Sequence, residues 1–205
     1  MKKHLLSLLA ATALLASCSD LKKPEEKDQL SEATADTAVV ARDGQTVGEV
    51  AANAGAAVEN AWDMTKANLA DVKLEEIDLP EISVRGDDRY NVYALEEKVL
   101  FDTDKAEIKP TATRALSEIS SSIARRYRGN EVRILGFADS RGDKDYNREL
   151  SAKRAAAVKD WLVKNGQMPA DKVSIEPMGE EAPVASNATA AGRQENRRVE
   201  IAVLK

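Results

Sequence analysis

Asp139 and Arg154 are the residues whose types and surroundings most suggest chemistry. Asp139 directly follows the apolar run Ile134-Leu135-Gly136-Phe137-Ala138. That run reads as a strand, so the carboxylate belongs at its carboxyl end, the edge of an open α/β sheet where ligands usually bind. Gly136 and Gly142 let the backbone turn tightly nearby. Arg154 lies in a helical run. At about 100° per residue from Leu150, Trp161 falls near roughly 20°, Ala157 near roughly −20° and Val158 near roughly 80°. Arg154 falls at about 40°, inside that apolar stripe, with Asn147 at about 60°. A guanidinium there is costly unless it is paired. An internal salt bridge would account for it, and so would a stem that packs while its head reaches water. A third reading joins Arg154 to Asp139 in one pocket. A carboxylate facing a planar guanidinium fork is the complement of a small zwitterion, ammonium to the acid and carboxylate bidentate to the base.

The residue inventory excludes other chemistries. His4 is the only histidine and Cys18 the only cysteine, and both lie at the amino-terminal end. No intramolecular disulfide can form. Downstream of Cys18 there is nothing from which to build a His/Cys zinc site, a Ser-His-Asp triad or a cysteine nucleophile. A glycosidase using two carboxylates survives the count.

The first residues read as an export signal. Met1-Lys2-Lys3-His4 gives a positive start, and Leu5 to Ala16 is an apolar run shorter than the roughly 20 residues a bilayer span needs. It ends in Leu15-Ala16-Ser17-Cys18, which is similar to the lipobox of bacterial lipoprotein signal peptides, cleaved before the cysteine. That resemblance implies a signal peptide over residues 1–17 and an acylated Cys18. Several acyl chains would give stable anchoring where one would not. Ser19 after it favours the outer membrane under the family's sorting rule.

Charge divides the rest of the chain. Residues 19–89 carry 8 Lys+Arg and 17 Asp+Glu, a net of 8 − 17 = −9, whereas residues 90–205 carry 20 and 18, a net of 20 − 18 = +2. With +2 from residues 1–18 the total is the −5 of the whole chain. Residues 18–89, acidic and rich in alanine, read as a tether unable to pack a core alone. Val47, Val50, Ala54, Ala57, Val58, Ala61, Trp62, Leu69 and Val72 recur near helical spacing and predict a helix within 46–72. Gly48 and Gly55 weaken a coiled coil there. Leu79 to Val84 alternates like a short strand.

Residues 90–205 suit one domain. Strands are predicted over Val92–Phe101, Val132–Ala138, Val173–Pro177 and Arg198–Leu204. Helices are predicted from Pro110 to near Gly129 and over 145–164, the second stopped by Asn165-Gly166. The order β-α-β-α-β-β indicates an α/β sandwich with helices against a sheet.

Four motifs in this order carry a specific resemblance. Gly136-Phe137-Ala138-Asp139, Tyr146-Asn147, Leu150-Ser151-x-x-Arg154-Ala155 and Asn196-Arg197-Arg198-Val199-Glu200-Ile201 resemble the OmpA-like peptidoglycan-binding domain, and Phe101-Asp102-Thr103-Asp104 with Ile108 is similar to its first-strand motif. The resemblance implies a mixed sheet of order 1-4-2-3 with its last strand antiparallel. It implies a non-catalytic protein without a cofactor, binding the diaminopimelate of the cell-wall stem peptide. Asp139 and Arg154 would hold that zwitterionic end, Asp104, Asn147 and Arg197 would line the pocket, and Thr103, Ala138 and Leu150 would lie nearby. Phe137 stands where the family often has histidine, and Asp104 where asparagine is common. Joined to an acylated Cys18, such a domain implies a lipid-anchored outer-membrane protein facing the periplasm. Its partners would be peptidoglycan and membrane lipid, with no nucleic acid. A scaffold role toward an envelope partner such as the Tol system is the further alternative. Other patterns have plainer explanations. Arg85-Gly86-Asp87 and Arg141-Gly142-Asp143 spell an adhesion tripeptide, and Asp139, Asp143 and Asp145 depart from the spacing of a calcium loop.

Overall fold

The computed structural model of the protein describes residues 62–64 and 67–205. Residues 1–17, Cys18 and residues 46–61 of the expected helix lie outside the described residues. Six strands pair into one sheet: β1 (Ala70–Asp71), β2 (Ile82–Gly86), β3 (Tyr90–Glu96), β4 (Val132–Phe137), β5 (Val173–Gly179) and β6 (Arg198–Leu204). Among the described residues four α-helices accompany them: α1 (Glu97–Leu100), α2 (Thr113–Arg126), α3 (Lys144–Lys164) and α4 (Ala190–Asn196). The strand order is β1-β2-β3-β6-β4-β5. Only β4 and β5 run parallel; β6 is antiparallel to both β3 and β4. The four strands β3-β6-β4-β5 thus reproduce the expected 1-4-2-3 order.

The pleat sorts residues between two cores. On β4, Val132 and Ile134 join the larger core with Tyr93 and Leu95 of β3 and Val199, Ile201 and Val203 of β6. Helices α2 and α3 cover this face with Leu116, Ile119, Ile123, Ala155, Val158 and Leu162. Each fully buried aliphatic chain contributes roughly 1.5–3 kcal/mol. Leu135 and Phe137, one residue out of phase, point to the opposite face and pack with Tyr90, Val92, Ala202 and Trp62. Trp62 closes that second core. Its ring stacks on Tyr90 at 6.0 Å between centroids, the Arg133 guanidinium lies 4.7 Å from its centroid, and its Nε1 donates to Glu131 Oε2 at 3.3 Å.

Five local expectations are corrected. The strand expected over 92–101 ends at Glu96, and residues 97–100 form a helical turn. Leu100 and Phe101 are both buried; consecutive residues of a strand would point to opposite faces, and the turn lets both face inward. The segment 190–196, expected to be loop, is helix α4, capped by Thr189, whose Oγ1 accepts from the Gly192 amide. Strand β5 continues past Pro177 to Gly179, tolerated because it is a sheet edge. Finally, two strands from the stretch read as tether, β1 and β2, extend the sheet beyond β3, and Leu74, Ile82 and Val84 enter the larger core. The helix expected to reach residue 72 is replaced by strand at Ala70–Asp71.

Candidate functional site

The site is built where α3 meets the carboxyl ends of β4 and β5. Gly136 permits the approach, because a Cβ there would stand 2.3 Å from the Ser151 carbonyl oxygen of α3. One turn later comes Arg154. The Ser151 hydroxyl accepts from the Gly179 amide at 3.1 Å, tying the helix to β5 as well. Beyond β4 the chain turns through Gly142 (φ 93°) into Asp143, which caps α3 by accepting from the amides of Asp145 and Tyr146. Asn147, on the first turns of α3, donates to the carbonyls of Asp139 (3.2 Å) and Arg141 (2.9 Å) and so fixes the loop that carries Asp139.

The buried face of α3 is Asn147, Ser151, Arg154, Ala155, Val158 and Leu162. It is rotated from the stripe drawn through Leu150, Ala157 and Trp161, which are only partly buried. Arg154 nevertheless lies within it, at 3% exposure. Its Nε donates to the Lys105 carbonyl at 3.0 Å, its Nη2 to Glu97 Oε1 at 2.5 Å, and its guanidinium carbon is 5.4 Å from the Phe101 ring centroid.

Asp139 and Arg154 line one cavity of about 610 Å3. The other six expected residues, Thr103, Asp104, Ala138, Asn147, Leu150 and Arg197, line it too. The two groups are nevertheless not bare. Arg197, placed by the end of α4, donates through Nη1 to Asp139 Oδ2 at 2.5 Å, and its Nε is 2.7 Å from Glu97 Oε2. The result is an alternating chain, Arg154–Glu97–Arg197–Asp139, two cations and two anions along the cavity wall. Burial works to raise the Asp139 carboxyl, but the Arg141 amide and the Arg197 guanidinium outweigh it and hold it below the ordinary value. Arg141 Nε, 3.8 Å away on a side chain 68% exposed, adds little.

Asp104 is different in kind. It adopts φ 56°, a left-handed conformation that Asp and Asn tolerate. Its carboxylate lines the cavity with no hydrogen bond or ion pair among the described residues. The site thus offers one unengaged acid beside a balanced ionic chain, with Tyr146, 51% exposed, at its rim.

Sequence reasoning missed Glu97. It sits in α1, a four-residue turn too short to show a helical period, within a segment read as strand. The available signal was arithmetic: a buried Arg154 and a partly buried Arg197 need more than the single carboxylate of Asp139. Among the described residues no group of His, Cys, Asp and Glu is arranged to hold a metal, and no helix is long and apolar enough to cross a membrane.

Comparison with known proteins gives the chain's relatives. The chain is 41% identical over 112 residues to outer membrane porin F of Pseudomonas fluorescens, covering 55% of this chain and 34% of that protein. It is 36% identical over 103 residues to the probable lipoprotein YiaD of Escherichia coli, covering 50% and 46%. The chain therefore spans about a third to a half of the length of these relatives. Among solved structures, the cell wall anchor of the T6SS from Pseudomonas aeruginosa superposes with a TM-score of 0.55 at 29% identity, covering 60% of this chain and 87% of that one. The matched stretch of this chain begins at Leu100 and ends at Arg197, so it takes in Asp139, Arg154 and the other six expected residues: residues 100–197 are an OmpA-family domain.

Proposed function

We propose that this chain is a non-catalytic peptidoglycan-binding protein that holds the diaminopimelate of the stem peptide in the cavity between α3, α1 and the β4 edge. The observation that carries the reading is the cavity wall itself. Arg154 presents a guanidinium edge for the ligand carboxylate, and Asp139 with the unengaged Asp104 presents carboxylates for its ammonium. The cell wall anchor of the T6SS, similar in sequence and fold, supports a wall-gripping role. Likeness to a lipoprotein supports the further proposal that acylated Cys18 sits in the outer membrane, so that the protein ties that membrane to the wall. A glycosidase needs one carboxylic acid held protonated by a raised pKa. Asp139, held below its ordinary value, does not fit the role of that acid.

Retention on purified sacculi tests the proposal. Arg154→Ala and Asp139→Ala should each lower affinity by about 2–5 kcal/mol, the cost of truncating one partner of a desolvated charge pair. Folded variants that are retained like the wild type would refute the site.

A further inference from the structure

Glu97 lies outside the stretch matched to the family and is bound by two arginines of the cavity at once. We propose that Glu97 sets the charge balance of the cavity and so makes it select a zwitterion over a plain carboxylate. The inference rests on the reading of this cavity as the diaminopimelate pocket.

Without the Glu97 charge the ion-paired chain would hold Arg154 and Arg197 against Asp139 alone, one positive charge more than at present, which shifts the cavity toward an anion site whatever the more exposed Asp104 contributes. Glu97, whose side chain is 13% exposed, lines the same cavity, lies against both guanidinium groups and cancels that excess. A ligand bringing one ammonium and one carboxylate leaves the balance unchanged. A ligand bringing carboxylates only would leave an uncancelled negative charge beside buried carboxylates, where the weak screening of the interior magnifies repulsion. Glu97 Oε2 is in ion contact with Arg197 Nε at 2.7 Å but has no aligned hydrogen bond. Its influence on this arginine is therefore chiefly one of charge, and Glu97 need not touch the ligand.

The test compares meso-diaminopimelate with pimelate, the same dicarboxylate skeleton without amino groups, by calorimetry on the full chain. Wild type should prefer diaminopimelate. Glu97→Gln keeps the shape and removes the charge, and should reduce that preference about tenfold, a change of about 1.4 kcal/mol, mainly because pimelate gains. Glu97→Asp should restore the preference. A residue that only props up the arginines would weaken both ligands alike, so an unchanged ratio in folded Glu97→Gln overturns the inference. If Glu97→Gln does not fold, Gln194→Lys supplies the readout. Gln194 lines the same cavity and donates to Glu96, which a lysine could pair with, so the added charge must lower the ratio in the same direction. No change there overturns the inference as well. Failure of wild type to bind diaminopimelate would overturn the proposed function itself, whereas binding with an unaltered ratio in the variants removes only the role of Glu97.

Discussion

Arg197 and Arg198 are neighbours in sequence, yet they serve two different ionic clusters. Arg197 turns toward the cavity, where it joins Glu97 and Asp139. Arg198 opens β6 on the other face of the sheet, with its Nε 2.7 Å from Glu200 and its guanidinium 3.7 Å from the Phe137 ring centroid. Its remaining nitrogens donate to the carbonyls of Asn196 and Ala182, and Arg85 makes a second pair with Glu200 at 2.9 Å. Burial pulls the Arg198 pKa down, against the opposing pull of Glu200. The residue types in the two clusters are the same. What separates them is that each guanidinium nitrogen of Arg198 donates to the protein, whereas the Arg154–Glu97–Arg197–Asp139 chain runs beside Asp104, which has no ion pair among the described residues.

The sharpest way to separate the clusters is to break each one. Glu200→Ala leaves Arg85 and Arg198 facing each other without a counter-charge. It should cost about 3–5 kcal/mol of stability in denaturant unfolding, as breaking buried ion pairs does. Arg154→Ala should do the reverse: the loss falls on ligand affinity, about 2–5 kcal/mol by calorimetry, while stability drops less because Glu97 keeps Arg197 as a partner.

Acid sharpens the contrast further. The Asp139 carboxyl is held below its unfolded value, so its contribution is fully present above about pH 4 and is lost as pH falls through the lower folded value. The stability gap between wild type and Asp139→Asn should therefore close as pH falls below about 4. Glu76, on the larger core's rim, gives the same sign over a wider window. Arg126, helped by Ser122 and opposed by burial, draws it to about 2. The gap between wild type and Glu76→Gln should narrow from its ordinary value of 4.5 down to about 2. Chemical unfolding followed across pH measures both. The smallest effect belongs to Asp104→Asn. Asparagine accepts the left-handed backbone, so the fold should not change, and ligand affinity should fall only about threefold, the scale of a partly solvated charge pair.

Much of the fold and site could be read from pattern. The alternation of Val199, Ile201 and Val203 located β6, and the four motifs together with the first-strand motif held all eight expected residues that line one cavity. Of the readings of Arg154 the internal salt bridge is present, with Nη2 on Glu97, and the residue also lines the opening. Short and non-periodic pieces escaped. Turn α1 has four residues, and α4 has seven, interrupted by Gly192, so neither shows a stripe. Strands β1 and β2 lie in an acidic stretch whose composition suggested a tether, although the alternation over Leu79–Val84 did point to a strand at β2. Their place comes from pairing with β3 and from a few apolar contacts, Leu74, Ile82 and Val84, which composition averages away.

The central claim is that the cavity seats one amino-acid centre between Arg154 and the acids Asp139 and Asp104. A crystal structure with a diaminopimelate-containing stem peptide tests it most directly. The ligand carboxylate should lie within hydrogen-bond reach of the Arg154 guanidinium, and the ammonium within reach of Asp139 or Asp104. A peptide bound with its free end elsewhere, leaving Arg154 and Asp139 untouched, would contradict it.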